Sequence, residues 1–188
     1  MRKSRQEAAE TRERIVENAS TEFRRNGIGA TGLSDIMGAA GLTHGGFYKH
    51  FASKDEVVEE SLRRAVDGLV EGIEGTIATA KAERGLSTAI SNYLSLAHRD
   101  NTARGCPFAA LGSELARSSD SVREAATVGF QKLVDTLAKE LQGGPATAKK
   151  EALAIVCAMI GAQTMARMVT DPALSETILR QVRKQLPP

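Results

Sequence analysis

A chain of 188 residues and 20.0 kDa has room for one ordinary domain, or for a module of roughly 50 residues joined to a larger one. With 41% hydrophobic and 26% charged residues the composition excludes disordered, fibrous and low-complexity chains. The net charge of +2 hides an asymmetry: up to Lys54 nine Lys or Arg stand against six Asp or Glu, leaving +3, while the remainder sums to −1. A positive front on a near-neutral body points to a local anionic partner. Aromatics are only 4%, Trp is absent, and Ala, Leu, Glu and Arg dominate without alternating β-branched runs, so the expected fold is all-α. Cys106 and Cys157 are far apart and lack ligand-spaced partners, so neither a disulfide framework nor a zinc site is expected, and a reducing cytoplasm fits. The charged start MRKSRQEAAETRER has no apolar h-region behind it, and no secretory signal is expected.

Taken in chain order, Ile15, Val16, Ala19 and Phe23 recur at helical spacing, and Asn26-Gly27 is a stop, so a first helix spans about 7–26. Thr31 can cap a short second helix carrying Leu33, Ile36 and Ala40, which ends at Gly41. Thr43 caps a third, about 43–50, whose Phe47 and Phe51 share a core-facing side and leave His44, Gly45, Tyr48 and Lys49 pointing elsewhere. Ser53 to Glu56 is a capping box that opens a long fourth helix, with an apolar stripe from Val58 to Ile77, reaching about residue 82. A fifth helix runs from Leu86 to near Arg99, and a loop follows. Pro107 opens a sixth, with Phe108, Leu111 and Leu115 on one side. The seventh carries Val122, Ala126, Phe130, Leu133, Leu137 and Leu141 and stops at Gly143-Gly144-Pro145.

The eighth segment, 152–169, is apolar on nearly all sides, and a ninth helix follows Asp171-Pro172. Gln163, Thr164 and Arg167 cut its apolar run short of the roughly 18 residues that a membrane span needs. Burial on two sides is expected instead, by the chain's own body and by a second subunit, with Gly161 and Ala162 allowing close approach. The chain is therefore expected to form a homodimer through helices eight and nine, without a membrane partner. Cys157, in the middle of this run, is expected in the core.

Two short helices meeting at Gly41 behind a longer packing helix form a helix-turn-helix, whose second member enters the major groove of DNA. The stretch SDIMGAAGLTHGGFYKHFASK, from Ser34 to Lys54, closely resembles the amino-terminal domain of the TetR family of transcriptional regulators. The resemblance covers about residues 8–68 and includes Phe23, Gly27, Thr31, Ile36, Ala40-Gly41, Phe47-Tyr48, His50-Phe51 and Lys54 at the family's spacing. It implies about nine helices, a DNA-binding domain over 8–68 and an effector-binding and dimerisation domain over 69–188. It further implies a repressor that binds a palindromic double-stranded operator as a homodimer and leaves it when a small molecule binds. The protein would then be cytoplasmic, and nucleoid-associated when on DNA.

Carried over residue by residue, Thr31 and Thr43 place hydroxyls and backbone N–H groups against phosphate. His44, Gly45, Gly46, Tyr48 and Lys49 form the groove-facing surface. His50 and Lys54 would hold the DNA backbone, and Arg2, Lys3 and Arg5 form a basic arm that either tracks a minor groove or is a solvated tail. In the body the candidate pocket residues are Tyr93, His98, Cys106, Phe108, Phe130, Met159 and Met165, for each of which core packing is the alternative. Acidic side chains are scarce on the inner faces, which disfavours a cation pocket, with Glu114 the one candidate for an inside position. Cys106 sits before Pro107 at a helix N-terminus with Arg104 nearby, a setting expected to lower a thiol pKa and to leave it accessible. Gly-Cys at this point also resembles a branch of the family that includes electrophile and oxidant sensors.

No nucleophile elbow, HExxH motif or phosphate-binding glycine loop is present, and His44, His50 and His98 do not cluster as ligands. No catalytic residue, metal or cofactor is therefore expected. The remaining rival is a helical adaptor that keeps the helix-turn-helix as scaffold; a steep salt dependence of DNA binding separates the two.

Overall fold

The structure, a computed structural model, describes residues 5–81 and 84–187; Arg2 and Lys3 of the basic arm lie outside them. It is all-α, with ten helices and no strand among the described residues. Helix α1 (Arg5–Asn26) buries the expected stripe of Ile15, Val16, Ala19 and Phe23. It stops where Gly27 takes a φ of +91° and donates its N–H to the Phe23 carbonyl at 2.8 Å, a left-handed cap that glycine adopts without strain.

Helix α2 (Leu33–Ala39) starts after Thr31, and its N-cap is Gly32, whose N–H donates to the Asp35 carboxylate at 2.7 Å. Thr31 is 1% exposed and donates its hydroxyl to the Gly27 carbonyl at 2.7 Å, so it closes the turn instead of capping α2. Gly41, at φ +70°, turns the chain into a 3₁₀-helix, η1 (His44–Lys49), where the spacing predicts an α-helix. Six residues that include Gly45-Gly46 are too few and too flexible to favour a full α-helical turn pattern.

Helix α3 (Lys54–Thr79) starts on the predicted cap: Ser53 Oγ accepts the Glu56 N–H at 3.1 Å. Its first half buries Val57, Val58 and Leu62 on the α1 side, where Ser20 Oγ donates to the Ser61 carbonyl and Ser61 Oγ to that of Val16. Its second half buries Val66, Val70 and Ile73 in the body, alongside α7. A Cβ on Gly129 of α7 would lie 3.0 Å from Val66, so the absence of a side chain there sets how closely the two helices approach.

The predicted fifth helix breaks into α4 (Gly85–Tyr93) and α5 (Leu96–Asp100), because Ser95 Oγ accepts the His98 N–H at 3.1 Å and starts a new helix. Helices α6 (Pro107–Leu115), α7 (Asp120–Ala138), α8 (Pro145–Met168) and α9 (Pro172–Gln185) complete the chain. Each of α6, α8 and α9 has Pro in its first turn, and Pro145 starts α8 well ahead of Ala152.

Helix α8 is long and apolar enough by composition to cross a bilayer. It buries Ala152, Ile155, Val156, Met159, Ala162 and Ala166 in the body and turns Leu153, Cys157, Met165 and Met168 outward. Two expectations change here. Cys157 is exposed, not core, and Ala162 is inside its own body, which leaves Gly161 alone of the pair at the surface.

Replacing Gly27 by Ala puts a Cβ in a left-handed conformation and 2.6 Å from Glu114 Oε1. We expect Gly27→Ala to lower unfolding free energy by about 1–3 kcal/mol, read from urea midpoints with an unchanged slope.

Candidate nucleic-acid interface and effector body

Phe47 and Phe51 are buried with ring centroids 5.7 Å apart, and η1 packs against α2 with its other side turned outward. That outer side carries Thr43, His44, Gly45, Tyr48 and Lys49, all exposed, with Gly46 half-buried over Met37. Tyr48 is 69% exposed, a large ring with no core role. Thr43 occupies the N-cap position but makes no side-chain cap bond, so its hydroxyl is available outside. His44 Nδ1 lies 3.2 Å from Ser34 Oγ of α2, which orients the ring. His50 is half-buried, and its carbonyl accepts from Arg12 Nε at 3.2 Å.

Lys54 departs from the expected backbone-binding role. Its Nζ donates to the Ile28 carbonyl at 2.6 Å and stands 5.9 Å over the Phe23 ring, so it braces the turn between α1 and α2. Thr31 and Lys54 therefore shape the interface from inside, while Thr43, His44, Gly45, Tyr48 and Lys49 face out. Sequence reasoning missed Arg12, which lies 4.2 Å over the Phe51 ring and pairs with Glu56 and Glu60 of α3. Nothing in its local spacing marks it, since both partners are more than 40 positions away.

In the body the seven pocket candidates do not converge. Phe108 and Phe130 meet edge-to-face at 5.9 Å and line an open groove of about 570 Å³ between α6 and α7, with Asp120, Arg123 and Glu124 around it. Met159 is buried core, and Met165 is 42% exposed on the outer face of α8, away from any interior pocket. Tyr93, His98 and Cys106 form a second group on the other side of α6.

Within that group His98 Nδ1 donates to the Tyr93 carbonyl at 2.8 Å, and its Nε2 accepts the Cys106 N–H at 3.1 Å, which fixes a neutral tautomer. Burial and nearby Arg167 hold its pKa below the ordinary value of 6.5, against the pull of the Tyr93 carbonyl. Gln163 Nε2 also donates to the Tyr93 carbonyl, and Arg167 donates to the carbonyls of His98 and Arg99. Gln163 Oε1, Arg167 Nη1 and the Tyr93 hydroxyl are buried without an oxygen or nitrogen partner among the described residues. The Tyr93 hydroxyl lies against the Cys106 thiol, and burial pushes the phenol well above its usual range.

Cys106 itself is fully buried, and burial raises its thiol pKa. This corrects the expectation of an accessible, acidified thiol: desolvation of the thiolate outweighs the helix N-terminus and the hydrogen bonds that favour it. Glu114 is half-buried but faces no interior cavity for cations. Its Oε2 accepts the Gly29 N–H at 2.7 Å, tying α6 to the turn after α1. At the other end of α6, Arg24 of α1 donates to the Gly105 carbonyl at 3.2 Å.

Residues 15–61 match the model of bacterial regulatory proteins of the tetR family, and residues 82–185, more than half the chain, match the C-terminal domain of LmrA/YxaF-like transcriptional regulators. The chain belongs to the TetR family. Among curated TetR-type relatives, the HTH-type transcriptional regulator TtgR of Pseudomonas putida is 39% identical over 77 residues, 39% of this chain and 37% of that protein. The chain thus spans well under half the length of this relative. A TetR regulator from Chloroflexus aurantiacus superposes with a TM-score of 0.78 at 27% identity, covering 95% of each chain. The reduced form of Escherichia coli NemR superposes at 0.75 and 20% identity, over 94% of this chain and 96% of that one, and shows the shared fold.

A His98 pKa held down in the folded protein contributes stability that is complete above about pH 6.5 and is lost as pH falls below it, because the unfolded chain takes up the proton first. We expect the melting temperature of the wild type to fall more between pH 7.5 and pH 5 than that of His98→Gln, in parallel thermal melts.

Proposed function

We propose that this TetR-family protein is a ligand-responsive repressor that binds a palindromic operator as a homodimer, with a reader over residues 8–68 and an effector-binding and dimerisation body over 69–188. The observation that carries the reading is the outer side of η1, where Thr43, His44, Tyr48 and Lys49 stand exposed on a seat made rigid by Phe47 and Phe51. Lys49 supplies charge to phosphate or to guanine, and Tyr48 supplies ring and hydroxyl. Gly45 and Gly46 leave a flat stretch, so direct base readout rests on few side chains. The protein acts in the cytoplasm, on the nucleoid when bound to DNA, and without a membrane. It is read as a binding protein, not an enzyme, as its TetR-type relatives are transcriptional regulators.

Dimerisation is assigned to α8 and α9. Leu153, Met165 and Met168 on the outer face of α8, with Leu174 on α9, form an apolar surface that a monomer would expose to water. Half-sites one helical turn apart, about 34–36 Å, are what such a dimer reads. An electrophile or oxidant acting through Cys106 would first need α6 to open, since the thiol is sealed.

Footprinting across the intergenic DNA beside the gene tests the reading. Lys49→Ala should weaken operator binding across sequences and lower the salt slope by about 1, while Tyr48→Ala should cost about 1–3 kcal/mol and relax sequence preference. Absence of any footprint favours the adaptor reading. Met165→Glu should convert a dimer to a monomer in sedimentation at micromolar concentration; a wild-type monomer would sink the assigned interface.

A further inference from the structure

The cleft between α3, α4 and the start of α6 differs in chemistry from the groove beside Phe108 and Phe130. It is an open cleft of about 240 Å³. Its floor is apolar, Leu69 and Ile73 of α3 with Ala89 of α4, and it exists because Gly68 and Gly72 present no side chain there: a Cβ at either would meet nothing within 4 Å. Among the described residues Arg104 is its one formally charged lining residue. That guanidinium is exposed and has no carboxylate partner among the described ion pairs. Two acids of α3, Asp67 and Glu74, turn to Lys132 and Lys139 of α7 instead. Asn92 adds an amide at the rim, and Tyr93 and His98 close the inner end.

An apolar slot with one uncompensated cation at its mouth suits an anion that carries a compact apolar body. The volume lies below the roughly 300 Å³ at which drug-sized pockets begin. We propose that this cleft is an effector site for small monocarboxylates with an aliphatic or aryl body, the carboxylate on Arg104 and the body over Leu69 and Ile73. The proposal rests on the regulator reading above and adds the chemical class of the effector and its route to the reader.

The route is short. Arg104 precedes Gly105, whose carbonyl accepts from Arg24 of α1, and Cys106, whose N–H is held by His98 at the inner end of the cleft. A carboxylate that draws Arg104 inward shifts both anchors at the start of α6. The far end of α6 holds Gly29 through Glu114, so the displacement reaches the turn that carries α2 and η1.

Calorimetry on the full-length protein without DNA tests the site, with octanoate and benzoate as probes and their neutral amides as controls. At least one carboxylate should bind ten-fold or more tightly than its amide. Arg104→Gln should bring the two within about two-fold of each other, and Gly72→Leu, which fills the slot where space is open, should abolish binding of both. Phe130→Ala, in the other groove, should change nothing. Neither carboxylate binding the wild type, equal binding of acid and amide, or unchanged binding in Arg104→Gln or Gly72→Leu would each overturn the proposal. Footprinting without ligand separates the two levels: a footprint without carboxylate binding overturns the site and leaves the regulator, whereas binding with no footprint overturns the regulator. Carboxylate binding that leaves the footprint of the wild type intact overturns the effector assignment.

Discussion

Helix α3 belongs to two cores at once, and the rest of the molecule is arranged around that constraint. Its first turns are buried against α1, fastened by the reciprocal Ser20 and Ser61 hydroxyls and by Arg12, and its later turns form the floor on which α7 lies. A single rigid helix shared in this way cannot tilt in one half without disturbing the other, because close-packed interfaces have discrete arrangements and little give. The reader and effector body proposed above would need this property.

Helix α6 adds a second connection of a different kind. Where α3 couples the halves by packing, α6 couples them by a few directed hydrogen bonds, from Arg24 to Gly105 at one end and from Gly29 to Glu114 at the other. Burial lowers the pKa of Arg24, so that guanidinium is partly desolvated and its remaining acceptors carry more weight. The same is true of Arg167, which holds the carbonyls of α5 and keeps a buried Nη1 unpartnered. The polar groups around His98, Cys106 and Gln163 form a hydrogen-bonded cluster in an otherwise apolar interior, and they lie where α4, α5, α6 and α8 come together.

Much of the fold was legible in the sequence because its signals are local. The stripe from Ile15 to Phe23, the Gly27 and Gly41 stops, the Ser53 box and the Pro at the start of α6 and α9 each act within one or two turns of the chain. The helix-turn-helix side chains that face out could be read for the same reason: once Phe47 and Phe51 face inward, helical geometry leaves Thr43, His44, Tyr48 and Lys49 outside. The errors came where a turn hydrogen bond or the packing of other helices outweighed the helical pattern. Thr31 and Lys54 are committed to the carbonyls of Gly27 and Ile28, Cys157 is on the open face of an evenly apolar helix, and Cys106 is sealed by Tyr93 and His98.

The charge asymmetry and the alanine-rich, aromatic-poor composition determined by themselves that this is a helical protein with a positive front, and the pattern around Gly41 determined where that front turns between its second and third helices. They do so because helix periodicity, caps and breakers are properties of neighbouring residues. Which buried groups face one another is not. Tertiary structure alone decided that Phe108 and Phe130 line one cleft and Tyr93 and His98 another while Met159 and Met165 line neither, that Glu114 and Arg24 join α6 to the N-terminal helices, and that Arg104 is the one charged lining residue described at an apolar slot, because each of these depends on the distance between residues far apart in the chain.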